Sequence, residues 1–128
     1  MCIKRLTCDI NGNCLNIIIS GELCSGDLIN FSYRVLQSLE RMQKRFTVLV
    51  NAEKAEFNLI DGLWQEISSQ FNKTAISHDV FRISYIVPRY LFLKCKGCDV
   101  PDCVRIFEND IASAEAWLSE PISVAINT

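Results

Sequence analysis

Residues 46–63 read FTVLVNAEKAEFNLIDGL, and this stretch decides the fold. Phe46-Thr47-Val48-Leu49-Val50 is short, mostly apolar and rich in β-branched side chains. A run that is apolar at successive positions, rather than alternate ones, suits a strand covered on both faces, as in a parallel sheet. A loop from Asn51 to Leu59 follows, and then Ile60, Leu63, Trp64, Ile67 and Phe71 recur at helical spacing. A buried strand leading through a loop into an amphipathic helix is one β-α unit.

Outward from this unit the pattern repeats. Val80 to Val87 predicts the next strand, with Phe81, Ile83, Tyr85 and Val87 on one face and Pro88 ending it. Arg89 to Lys96 predicts a short helix, and Cys103 to Phe107 a final strand. Asn109 or Asp110 caps a last helix that turns Ile111, Ala114, Trp117 and Leu118 inward and stops at Pro121. Upstream, Leu28, Phe31, Val35, Leu39, Met42 and Phe46 are three or four residues apart, which predicts an amphipathic helix of about five turns. Val35, Leu39 and Met42 share one stripe and should be buried together. Gly21 and Gly26 bracket the start of that helix, with Ser25 or Asp27 as its cap. Before it, Cys2–Asp9 and Cys14–Ser20 flank Asn11-Gly12-Asn13, a hairpin signal because Asn and Gly tolerate positive φ. The order is β-β-α-β-α-β-α-β-α. It implies an α/β domain with a mixed sheet of about five strands, part of it parallel with right-handed crossovers, and helices packed on it. One domain spans residues 1–120, and 121–128 is a C-terminal tail.

The chain of 128 residues is long enough for one domain to bury roughly two thirds of its unfolded surface, so no staple is required. Acidic and basic residues are interspersed around a net charge of −2, which leaves no electrostatic footprint for nucleic acid. Lys4 and Arg5 are followed by polar Thr7, Asp9, Asn11, Gly12 and Asn13, where a signal peptide needs an apolar segment. No apolar run reaches membrane-spanning length, so no integral membrane segment is expected. The expected location is the cytoplasm. In that reducing compartment the seven cysteines are expected as thiols, and their odd number suits a fully paired disulfide framework poorly.

The element order resembles the STAS-domain superfamily. There an apolar strand and a loop with a Phe lead to Asp-Ser-Ser/Thr-Gly-Leu at the start of a helix. In this chain Val48-Leu49-Val50 is followed by Phe57 and by Leu59-Ile60-Asp61-Gly62-Leu63, in register without a gap. Phe57 and the Gly62-Leu63 pair match. Leu59 replaces the Asp, Ile60 the first Ser, and Asp61 the hydroxyl residue that kinases of the family phosphorylate. The second half is similar to the SpoIIAA-like (STAS/Sec14-like) small bacterial proteins through Phe81-Arg82-Ile83-Ser84-Tyr85-Ile86-Val87, Val104-Arg105-Ile106-Phe107 and Ala116-Trp117-Leu118. These are mainly packing motifs, which speak to fold before function. The resemblance implies partner switching in signalling, or binding of an apolar, lipid-like ligand.

Several constellations carry possible chemistry. Cys95, Cys98 and Cys103 have a C-x2-C-x4-C spacing, which suits a metal or a redox pair. A local fourth ligand is missing, and the Cys95–Cys98 pair falls at a helix end that does not activate thiols. His78 stands beside Asp79 without a nucleophile, and Glu53, Glu56 and Asp61 border a solvated loop. There is no Walker loop, no G-x-G-x-x-G and no G-x-S-x-G elbow, so neither a cofactor nor catalysis is expected. Asp61 reads as a helix-opening cap, or as a fixed negative charge where relatives are phosphorylated. In Arg89-Tyr90-Leu91-Phe92-Leu93-Lys94 four large apolar residues are consecutive, and a short surface helix buries only one stripe. Some of Tyr90, Leu91, Phe92 and Leu93 should therefore form a patch with Leu59, Ile60 and Leu63, rimmed by Arg89, Lys94 and Lys96. The expected function is a non-catalytic signalling or binding module. A protein partner, a small apolar ligand or a second copy in a homodimer would cover the patch. The alternative is a metal- or redox-responsive protein that uses the three cysteines.

Overall fold

The computed structural model describes residues 4–95 and 97–120, so Cys2, Lys96, Pro121 and the tail lie outside the described residues. The chain begins with the hairpin that Asn11-Gly12 predicts. Strand β1 (Arg5–Asn11) pairs antiparallel with β2 (Cys14–Cys24), and Gly12 takes φ +65° in the turn. Helix α1 (Ser25–Leu39) follows, then β3 (Thr47–Asn51), β4 (Ala55–Asn58), α2 (Leu63–Ser77), β5 (Arg82–Val87), α3 (Arg89–Cys95), β6 (Val104–Glu108) and α4 (Ile111–Ser119). The main sheet has the order β1-β2-β3-β5-β6, with parallel pairing from β2 onward.

The sheet has six strands rather than about five, because the stretch read as a loop contains β4. Ala55 and Phe57 turn inward while Glu56 and Asn58 face solvent, so the alternation is real but only four residues long. β4 lies parallel to the last part of β2, Gly21 opposite Ala55 and Cys24 opposite Asn58. β2 therefore runs past Ser20, where the hairpin was expected to end. It changes neighbour from β3 to β4 near Gly21, whose φ of +85° lies in the left-handed region that favours glycine.

The first helix is shorter than its apolar periodicity. It stops at Leu39, and Phe46 reaches the core from the connector just before β3. Val35 and Leu39 are buried together, but Met42 lies beyond the helix and is only partly buried. Spacings of three and four persist past Leu39 because a connector returning to the same core also alternates, so periodicity alone does not mark the end.

Strands β3 and β5 are covered on both faces. Val48, Val50, Ile83, Tyr85 and Val87 join the large core beneath α1 and α2. Leu49 and Ile86 join Ala114, Trp117 and Leu118 beneath α4 on the opposite face. Asp110 caps α4 by accepting the Ser113 N–H at 3.0 Å. The quoted packing motifs meet at the other end of α4: Arg82 donates to the carbonyls of Trp117 (2.5 Å) and Glu120 (2.9 Å). The Trp117 ring has the guanidinium groups of Arg82 (4.9 Å) and Arg105 (4.8 Å) against it. Trp117 is thus a packing residue.

Candidate functional site

Strands β2, β4 and β5 all end at one edge of the domain, where the loop 59–62 and α3 lie. Carboxyl ends of parallel strands are where open α/β sheets collect ligands. A small cleft of about 120 Å3 opens at this corner. Leu59, Ile60, Asp61 and Gly62 line it from the loop, Tyr90, Leu91 and Lys94 line it from α3, and Trp64 forms its back wall. Ile60 is 71% exposed.

Two side chains hold the corner in shape. The Tyr90 hydroxyl donates to the Ala55 carbonyl (2.8 Å) and accepts the Phe57 N–H (3.0 Å), fastening α3 to β4. Ser25 Oγ accepts the Ile60 N–H at 2.9 Å, tying the loop to the start of α1. Ser25 therefore does not cap α1. Its neighbour Asp27 serves that end, accepting the Cys24 N–H at 3.0 Å, and this bond together with Lys4 lowers the Asp27 carboxyl below its ordinary range.

Of the residues the sequence singled out for this corner, Leu59, Ile60, Asp61, Gly62, Tyr90, Leu91 and Lys94 line one cleft, and Leu63, Arg89, Phe92 and Leu93 do not. Arg89 pairs with Glu108 at 3.3 Å. Phe92 is half-buried against the large core, and Leu93 faces solvent at 52% exposure. Asp61 does not cap α2. Gly62 occupies the cap position at φ +83°, and no side chain there accepts a hydrogen bond from the helix.

Trp64 also walls a larger cavity of about 480 Å3 on its other side. Its indole sits 5.1 Å from the Phe57 ring and 5.9 Å, edge-on, from Tyr85. Helix α2 supplies one wall, β5 and β6 supply Tyr85, Val87, Val104 and Ile106 as the floor, and the segment 98–101 closes the far side. Gln65, Ser68 and Ser69 also line the α2 wall, and lower down Asn72 Oδ1 accepts the Tyr85 hydroxyl at 2.6 Å. Burial pushes the Tyr85 phenol far above its ordinary value, with smaller contributions from Cys103 and Cys95, so it stays a neutral donor. Lys73 and Asp99 stand at the cavity rim.

No known protein family matches the sequence, and no curated protein matches it either. Among solved structures the chain is similar to an uncharacterized protein of the DUF3478 family from Shewanella loihica PV-4, described as having a SpoIIAA-like fold. The superposition has a TM-score of 0.57 at 14% sequence identity and covers 92% of this chain and 95% of the other. The fold is SpoIIAA-like. At that identity the likeness speaks for architecture, and function has to be argued from the sites.

On this SpoIIAA-like frame Cys95 and Cys98 line the large cavity, and Cys103 is not among its lining residues. Cys95 is buried at the end of α3, and burial, followed by the charge of Cys98, raises its thiol above the ordinary value, against a smaller opposing effect of Trp64. Cys98 is exposed, its N–H bonded to the Cys95 carbonyl at 3.0 Å, and Cys103 is partly buried. Among the described residues no three His, Cys, Asp or Glu side chains group closely enough to hold a metal. His78 ends α2, with Nδ1 2.9 Å from the Thr74 carbonyl. Among the described residues no helix is long and apolar enough to cross a membrane.

Sequence reading missed Tyr90 as a latch, Ser25 as a tether and Asn72 altogether. For Asn72 a signal existed. Trp64, Phe71, Asn72 and Ala75 fall at helical spacing and all are buried, so Asn72 is a polar residue on an apolar stripe.

Proposed function

We propose that this chain is a non-catalytic binding module that takes up a small apolar ligand in the cavity between α2 and strands β5 and β6. The observation that carries this reading is the cavity itself. Its volume of about 480 Å3 falls within the range of small-molecule sites, and Tyr85, Val87, Val104 and Ile106 give it an apolar floor opposite the more polar α2 wall of Gln65, Ser68, Ser69, Asn72 and Lys73. The SpoIIAA-like architecture is consistent with such a module.

Titration with N-phenyl-1-naphthylamine, a neutral fluorophore that brightens in apolar surroundings, tests the reading. Saturable binding of one molecule per chain is expected, with quenching of Trp64 emission. Ile106→Trp, which fills the floor, should abolish it while the circular dichroism spectrum stays unchanged. Absence of saturable binding to the wild type sinks the reading.

A second reading rests on the exposed corner. Ile60, Leu93 and Tyr90 are all large and exposed, a surface that monomers cover when it is extensive. On this reading the corner docks a protein partner, a second copy of the chain being the simplest. Sedimentation velocity decides it: a wild-type dimer that Ile60→Asp converts to monomer supports it, and a monomer at all concentrations rejects self-association.

A further inference from the structure

The binding reading leaves the Cys95–Cys98 pair unused. Cys95 is the last residue of α3, and the Cys98 N–H meets its carbonyl at 3.0 Å, so the two thiols stand at the ends of one hydrogen-bonded turn. Gly97 takes φ +87° inside that turn. A turn of this kind keeps its first and last α-carbons less than about 7 Å apart, and a disulfide needs about 4.4–6.8 Å between them. Both residues line the wall of the same cavity. They differ in access, Cys95 being buried and Cys98 exposed. Burial and then the charge of Cys98 raise the Cys95 thiol, which agrees with two sulfurs that lie near each other.

From this turn we infer that Cys95 and Cys98 form a thiol–disulfide exchange site for small-molecule disulfides of the glutathione type, with Cys98 as the entry thiol and Cys95 as the resolving one. In the first step Cys98 gives its proton to water and its sulfur attacks one sulfur of oxidised glutathione. The S–S bond of the small molecule breaks, a bond from Cys98 to glutathione forms, and the other glutathione leaves as a thiolate that takes up a proton. In the second step Cys95 loses its proton and attacks Cys98 Sγ. The mixed disulfide breaks, the Cys95–Cys98 bond forms, and the second glutathione leaves in the same way. The protein gives up two electrons and two protons, and one oxidised glutathione becomes two thiols. An excess of reduced glutathione runs both steps backwards. The pair lies at the end of α3 rather than at a helix N-terminus, so nothing of that kind activates it, and the exchange is a slow response to redox conditions rather than turnover. The bridge forms in the cavity wall and fastens the segment 98–101 to α3. The inference goes beyond the ligand-binding reading and does not depend on it.

The test treats the fully reduced, full-length chain with oxidised glutathione, blocks the remaining thiols with iodoacetamide and maps every cysteine by proteolysis and mass spectrometry. In the wild type a bridge between Cys95 and Cys98 is expected, carrying no glutathione and reopened by reduced glutathione. Cys95→Ser removes the resolving thiol, so one glutathione per chain should stay on Cys98. Should that variant fail to fold, Cys95→Ala sets the same trap without placing a hydroxyl in a buried site. Cys98→Ser removes the entry thiol and should leave Cys95 as an unmodified thiol. Glutathione retained on Cys98 of the wild type, with Cys95 still alkylated by iodoacetamide, overturns the resolving role. A bridge from either residue to Cys103, or no reaction at Cys98 under conditions that modify the exposed Cys24, overturns the pairing itself.

Discussion

Tyr90 joins two segments that lie more than thirty residues apart in the chain, and it does so through one oxygen that donates to Ala55 and accepts from Phe57. Removing that oxygen leaves the ring in place and strands a backbone N–H and a carbonyl at a half-exposed site. Tyr90→Phe should lower the unfolding free energy by about 1 kcal/mol, measured from urea denaturation, since solvent can replace part of what is lost. A variant with unchanged stability would mean that the corner is held by α3 packing alone. At this scale the sequence was legible where chemistry is local and opaque where it is not. The Asp110 cap follows from its own neighbours, whereas the Tyr90 latch depends on a strand four residues long that composition does not announce. Gly62 was read as matching a motif. Its actual task is to hold φ at +83°, which displaces Asp61 from the cap it was expected to fill.

Helix α3 has only two turns, and its four consecutive apolar residues are divided among environments as helical geometry requires. Leu91 is buried, Phe92 is half-buried against the core, and Tyr90 and Leu93 face outward. The expectation that some would be exposed was right, and the choice of which ones needed the direction of the helix relative to β6, which periodicity over seven residues cannot supply. Substitutions should therefore separate along this helix. Leu91→Ala should cost about 2–5 kcal/mol, as for other buried large-to-small changes. Phe92→Asp should also destabilise, because it drives a charge toward the core. Leu93→Asp should leave the thermal midpoint within a degree or two of the wild type. Equal destabilisation by Phe92→Asp and Leu93→Asp would contradict this orientation.

Over the whole molecule, the alternation of strand and helix was enough to reach an α/β domain with a mixed sheet, because the doubly covered strands β3 and β5 leave a run of apolar residues that a surface strand would not tolerate, and the SpoIIAA-like architecture was implied by the resemblance of the quoted motifs. The cavity was not legible, since its walls come from α2, two strands and a loop that meet only in three dimensions. One global property follows from burial of titratable groups. Burial raises the thiols of Cys8, Cys95 and Cys103 above their ordinary value of 9.0, and it raises the Tyr85 phenol as well. A group whose value is raised by folding contributes stability that is full below its unfolded value and is lost as pH climbs toward its folded value. Stability should hold through neutral pH and decline once pH exceeds about 9, where unfolded thiols ionise. Urea midpoints at pH 7.5 and pH 10, with reductant present, measure this, and replacing Cys8 and Cys103 by Ala should flatten the decline. A midpoint that rises toward pH 10 would contradict the burial of these groups.

The change of neighbour along β2 has a consequence for how the protein opens. β2 is bonded to β1 on one side and, in succession, to β3 and β4 on the other. β1, β3 and β4 cannot part from the rest of the sheet through β2 without breaking its bonds, whereas β6 is bonded to β5 alone among the described strands. Backbone amides of β2 between Leu15 and Ile19 then exchange with deuterium only when the whole domain unfolds, and those of β6 exchange through smaller openings. Since β6 forms part of the cavity floor, the wall a ligand would meet belongs to an edge strand of the main sheet, three places along it from the strand that joins β1, β3 and β4.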